Sequence, residues 1–258
     1  MKKRFLSAFF AIVLCVAAYP INTLAGQSID DQLISRGYPL KLIESMPEEE
    51  KEDLINGNCY FESSKVYNYD EDGELINISN FNENAITPYG QIKTAHLSLS
   101  ITTSKSGSNT VVTFNYNWKT LPVNRYQDPI CVAWNSNIFS YKSGSFKKVD
   151  KFSAVINGNP ESLYTATHSS ETSYSKAASN QISWYADLKG YSANVVRLFG
   201  YGSFTLIPKK TGQSTQLFGH YVHAKSTASF SIGYSGAGFS VSGGSSYDEL
   251  GTDITIKS

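Results

Sequence analysis

Chemistry at a protein site depends on convergent groups, and the candidates in this chain are few. His220 and His223 stand three apart in a strand-like stretch, which sets them on opposite faces and makes them a poor pair for a metal ion. His96 and His168 have no metal-ligand spacing around them either, so each of the four reads as an ordinary hydrogen-bonded histidine. The stretch GYSGA, Gly233 to Ala237, approaches a nucleophile elbow but lacks the final glycine. An elbow also requires strand, turn and helix, whereas strand periodicity continues on both sides here. Glu161, Glu171 and Asp187 are the mid-chain carboxylates available for a glycosidase pair, and nothing in their spacing joins them. Asp70, Asp72 and Glu74 alternate as calcium ligands do, without the further oxygens of a calcium loop, and Asp72-Gly73 reads as a hairpin turn. The glycines fall in β-turns with no helix behind them, so no phosphate cradle forms. The sequence therefore points to no catalytic constellation, no metal and no cofactor.

The denser signal is the run FNYNWKTLPVNRYQDPICVAW, residues 114–134. Exposed aromatic rings stack on sugars and bury large area at interfaces, so a ligand site here would use Tyr116, Trp118, Arg125, Asp128 and Trp134. Arg125 and Asp128 are spaced to pair across the connection between two aromatic strands. Against this, Trp118, Trp134 and Trp184 are in phase with the apolar faces of their strands, which places about two of the three in the core. Through Tyr116, Trp118, Pro122, Arg125, Asp128 and Trp134 the run loosely resembles a recurring stretch in uncharacterised secreted all-β proteins of Gram-positive bacteria. The resemblance implies an all-β exported fold and no particular activity.

The elements that must position these residues follow from periodicity. From about Tyr89 onward the chain is a succession of short alternating strands: HLSLSI points Leu97, Leu99 and Ile101 inward, and VVTFNYNW stacks Val112, Phe114, Tyr116 and Trp118 on one face. Ile130, Val132 and Trp134 repeat the pattern with Cys131 on the reverse side. Further strands centre on Ala154, Trp184, Val196, Phe204, Tyr221 and Ile254 to Ile256. Regular strands with polar turns predict a mainly β protein, an antiparallel sandwich or jelly-roll-like domain over residues 89–258. Residues 26–58 are instead acidic and helical. Ser28 with Asp31 and Ser45 with Glu48 form capping boxes, Pro39 opens a short middle helix, and Gly37 and Gly57 end the first and third. Residues 59–88 read as a hairpin and linker.

Charge divides the chain in the same place. Residues 26–92 carry 14 acidic and 4 basic side chains, net −10, while residues 93–258 carry 8 and 15, net +7. The acidic helices are therefore expected to dock on the basic β-domain as a cover or pro-segment. Lys147-Lys148-Lys151 and Lys209-Lys210 are the basic clusters, assigned to turns and edge strands, and such scattered charge excludes a nucleic-acid partner.

The first residues address the chain for export. Lys2-Lys3-Arg4, the apolar run Phe5 to Tyr19 and Thr23-Leu24-Ala25 compose a secretory signal peptide over residues 1–25, giving a secreted, extracellular product. Cys59 and Cys131 remain after its removal, and in an oxidising compartment they are expected to pair, closing a long loop worth ~4 kcal/mol.

One hairpin bears on function by itself. TASFSIGYSGAGFSVSGG sets Phe230, Ile232, Tyr234, Phe239 and Val241 on one face and hydroxyls and glycines on the other. That pattern suits a sandwich hairpin, and equally a membrane-entering strand pair of roughly 9–11 residues each, except that Gly243-Gly244 cut the return strand short. The sequence thus predicts a secreted binding protein with a cell-surface or cell-wall ligand. The alternative is a membrane-active, pore-forming-like protein acting on membrane lipid, with an extracellular hydrolase third.

Overall fold

The computed structural model describes residues 26–69, 75–80, 90–91, 97–156, 158–189, 194–227, 229–236, 238–244 and 246–258. The expected signal peptide, the expected turn with Asp70, Asp72 and Glu74, and His96 lie outside these residues, as does the side chain of Glu161.

Three short helices open the chain: α1 (Ile29–Ser35), α2 (Leu40–Ile43) and α3 (Glu48–Asn56). Ser28 caps α1 by accepting the Asp31 N–H at 3.1 Å, and Pro39 precedes α2 as expected. Ser45 does not cap α3. Its hydroxyl turns back to the Leu42 carbonyl, and Pro47 takes the cap position without a side-chain bond. Helices this short are marginal alone, and they form by burying Leu33, Leu42, Ile43 and Leu54 in one cluster with Tyr38 and Cys59.

The strands that follow are β1 (Tyr60–Tyr69), β2 (Leu75–Asn80), β3 (Gly90–Gln91), β4 (Leu97–Ser106), β5 (Asn109–Trp118) and β6 (Gln127–Ala133). Next come β7 (Phe139–Tyr141), β8 (Lys147–Ile156), β9 (Asn159–Glu171), β10 (Lys176–Ala178) and β11 (Gln181–Asp187). The chain closes with β12 (Val195–Pro208), β13 (Ser214–Ala224), β14 (Ser231–Tyr234), β15 (Phe239–Ser242) and β16 (Tyr247–Lys257). The expected strands at Val196 and Phe204 are one, β12. Strand β9 was missed because its alternating hydroxyls carry no apolar period.

Two antiparallel sheets form the sandwich. The first runs β2-β1-β4-β5-β12-β8-β9 with β7 also on β12, and the second runs β10-β11-β6-β13-β16-β3. Tyr69 opposes Leu75, so β1 and β2 form the expected hairpin. Between the sheets lie the rings that periodicity turned inward, among them Phe114, Trp118, Trp184 and Tyr221. At two places between the sheets an aromatic ring lies directly on a glycine. Trp184 of the second sheet covers Gly202 of the first, and Phe114 of the first covers Gly219 of the second; a Cβ at either glycine would overlap the ring.

Two further layers cover the outer faces. On the first sheet, α3 sets Asp53 against Lys147 at 2.7 Å, Glu49 against Lys151, and Glu50 beneath Asn115. The acidic helices therefore dock on the basic sheet as the charge division implied. The lysines of β8 are not edge guards, because β8 lies between β12 and β9. On the second sheet, β14 and β15 pair as a separate two-stranded sheet, with Ile232 opposite Val241 and Tyr234 opposite Phe239. Ile232 packs on Cys131 and Val222, Phe239 stacks on His220 at 4.6 Å, and Tyr234 lies over Phe218 at 6.0 Å.

This layering corrects the disulfide. Cys59 is buried among the helices outside the first sheet, and Cys131 is buried under the hairpin outside the second; both are free thiols. The two sheets lie between them, packed about 10 Å apart, whereas a disulfide spans at most about 7 Å between Cα atoms. Burial pushes the Cys59 thiol up to about 11 and the Cys131 thiol up to about 12.

Candidate functional site

The residues expected around the connection from β5 to β6 separate into two groups. Tyr116, Trp118, Asp128 and Trp134 are buried. Asp128, at the start of β6, is a hub: its carboxylate accepts from the Tyr221 hydroxyl at 2.5 Å, His223 Nδ1 at 2.9 Å and the Ala224 amide at 2.9 Å. Trp118 Nε1 donates to the Tyr221 oxygen at 2.9 Å, and Tyr116 donates to Asp150 at 2.7 Å. Asp150 also faces Lys148 at 3.1 Å and Ser169 at 2.8 Å. Burial, and next the Asp128 carboxylate, hold the Tyr221 phenol well above its ordinary range. Tyr116, Trp118 and Asp128 are thus tied into bonds inside the sandwich and leave no ring face for a ligand.

Arg125 behaves differently. The expected pairing with Asp128 is not made, because Asp128 is committed to Tyr221, His223 and Ala224. Arg125 instead lines an open cleft of about 510 Å³ with Tyr126, Gln127, Tyr185, Lys189, Thr227, Ser229 and Phe230. Three elements build it: the connection into β6, the end of β11, and the chain from β13 into the hairpin. Gln127 opposes Asp187 in the β6–β11 ladder, which forms the floor, and the Tyr185 hydroxyl donates to the Phe230 carbonyl at 2.9 Å, fixing one wall. Arg125 Nη1 is shut off from solvent and has no hydrogen-bond partner among the described residues. Among the described residues the lining holds two cations and no carboxylate.

Of the expected site residues, then, the structure brings Arg125 to a cleft, and Phe230 of the hairpin joins it there. Trp134 borders another cleft of about 350 Å³ with Asn135, Gln216, Phe218 and the hairpin's Tyr234. Tyr126 and Gln127 were in plain view beside Arg125. Thr227 and Ser229 stood out only as part of the hairpin stretch and Lys189 carried no sequence signal, since only the fold brings these loops together.

The other candidates take structural roles. His220 faces out to Glu249 at 3.1 Å while His223 faces in, as strand parity required. Glu171 meets Lys148 at 3.6 Å and Asp187 meets His168 at 3.4 Å, so each of these carboxylates already has a basic side chain beside it. Ser235 sits in the hairpin turn, its amide bonded to the Gly238 carbonyl at 3.1 Å, a setting with no helix to make an elbow. No helix among the described residues is long and apolar enough to cross a membrane.

No family model matches this chain. A search of curated proteins finds no match. Among solved structures, the chain is similar to one described as a pore forming protein, at 12% identity and a TM-score of 0.31, covering 67% of this chain and 96% of that one. It is also similar to the C-terminal domain of the AgI/II polypeptide BspA of Streptococcus agalactiae, at 10% identity and a TM-score of 0.29, covering 69% and 62%. A third is the KRT10-binding region domain of the pneumococcal serine rich repeat protein PsrP, at 15% identity and a TM-score of 0.26, covering 52% and 83%. The likeness is weak and by itself carries no function to this chain.

Proposed function

We propose that this chain is an exported binding protein acting at a cell envelope or extracellular surface, and that the Arg125 cleft holds its ligand. The observation that carries this reading is the cleft itself. It is open, it is within the roughly 300–1,000 Å³ of small-molecule sites, and Arg125 and Lys189 set two positive charges on its wall. Two cations with no carboxylate beside them among the described lining residues favour an anionic ligand that arrives from outside. The test is saturable binding of the labelled chain to intact bacterial and animal cells and to purified cell walls. Binding that is competed by unlabelled chain and reduced by Arg125→Ala supports the reading. No saturable binding on any of these surfaces, or binding indifferent to Arg125→Ala and Lys189→Ala, overturns it.

A second reading, membrane activity, is favoured by one feature. The β14–β15 hairpin is its own sheet and leaves the second sheet without breaking a ladder, although its paired strands are four residues long against the roughly 9–11 of a spanning strand. Dye release from lipid vesicles decides it: leakage supports the hairpin as a membrane element, and intact vesicles leave it as sandwich structure.

A further inference from the structure

We infer that the ligand group recognised by this cleft is the carboxylate of an acidic sugar, an assignment that rests on the cleft's being the binding site. Charge comes first. Arg125 and Lys189 both border the cleft, no acidic side chain lines it among the described residues, and a low-dielectric wall strengthens the attraction for an anion. Shape comes second. A guanidinium is a planar fork that meets a carboxylate through two parallel N–H···O bonds, and the partly exposed Arg125 borders the cleft. The rest of the lining suits a polyhydroxylated body: Gln127, Thr227 and Ser229 bond hydroxyls in either direction, and the partly exposed ring of Tyr126 suits the apolar face of a sugar ring. An acidic peptide fits less well. Extended peptides bind by adding to an open strand edge, and the strands flooring the cleft, β6 and β11, are already paired with each other from Gln127–Asp187 to Ala133–Gln181.

The experiment is a calorimetric titration of the exported chain with four kinds of probe. These are a glucuronate-containing tetrasaccharide, a galacturonate oligomer, sialyl-lactose and a neutral N-acetylglucosamine tetramer. Glucose 6-phosphate serves as the phosphate arm. At least one acidic sugar is expected to bind about tenfold or more tightly than the neutral one and than the phosphate. Arg125→Ala is expected to abolish that preference and Arg125→Lys to retain part of it, because a point charge keeps the attraction and loses the fork. Lys189→Ala alters an exposed side chain, so it tests the site even if Arg125→Ala fails to fold; it should weaken acidic sugars selectively, and more so at low salt. Equal affinity for the neutral tetramer, tighter binding of the phosphate, or no binding of any acidic sugar overturns the ligand assignment. Acidic-sugar binding untouched by both variants overturns the location. Neutral-sugar binding that Arg125→Ala or Lys189→Ala weakens would sink the carboxylate while leaving the cleft as the binding site. Loss of all cell binding in the surface assay would remove the function itself.

Discussion

Glu50 offers the sharpest test of how the helical layer is held. The side chain is 1% exposed, its Oε1 accepts from Asn115 Nδ2 at 3.3 Å, and its Oε2 has no partner among the described residues. Burial, and then the neighbouring Asp53 carboxylate, raise its pKa from 4.5 to about 8. A carboxyl raised in the folded state is protonated there while the unfolded chain ionises freely. Its contribution to stability is whole below pH 4.5 and is lost progressively as pH rises to about 8, beyond which the loss is constant. At about 1.4 kcal/mol per pH unit, Glu50 costs about 3 kcal/mol at pH 7 compared with a neutral side chain of the same shape. Glu50→Gln is that side chain, and its amide oxygen still accepts from Asn115. The variant is expected to match the parent near pH 4.5 and to exceed it increasingly towards pH 8. At about 2–4 °C per kcal/mol, the difference in Tm at pH 7 is about 6–12 °C if the layers unfold together. If α3 undocks first, the same difference appears in the opening free energy of its amides by hydrogen exchange. Paired melts of the two proteins from pH 4.5 to 8.5 isolate the effect, because every other titrating group is common to both. A variant whose advantage is flat across that range, or which is less stable at pH 8, refutes the burial of a costly carboxyl under α3.

Other expectations follow from the same packing. Asp128→Ala strips the partners from Tyr221, His223 and the Ala224 amide at once, and should lower the unfolding free energy in urea by about 3–5 kcal/mol. Gly219→Ala drives a Cβ into the Phe114 ring and to 3.0 Å from Thr252 Cγ2, so a loss of about 1–3 kcal/mol is expected; an unchanged urea midpoint would show that the sheets stand further apart. Cys59 and Cys131 should resist a thiol reagent in the native protein and both react in urea without prior reduction, whereas a linked pair would stay silent until reduced.

Much of the fold was legible because alternation reports directly on burial. The inward positions of Val112, Phe114, Tyr116 and Trp118, the outward Cys131, and the opposed His220 and His223 all follow from a period of two. The cap at Ser28 and the hairpin at Ser231–Ser242 were readable from a few adjacent residues for the same reason, since their bonds are local. The candidate site was legible in part. Arg125 stood out as a charge between aromatic strands, but its neighbours in sequence, Trp118 and Asp128, went inside while residues about a hundred positions away, Thr227 to Phe230, came to face it.

The sequence by itself determined the alternation of the strands, the acidic helices and the charge that draws them to the β-domain, because these depend on near neighbours and net charge. Only the tertiary structure decided that four layers stack with the cysteines on opposite outer faces, that Asp128 serves Tyr221 in place of Arg125, and that Lys189 and Arg125 share a cleft. Those outcomes depend on which strands become neighbours across the sandwich, and periodicity fixes a residue's face without fixing what lies opposite it.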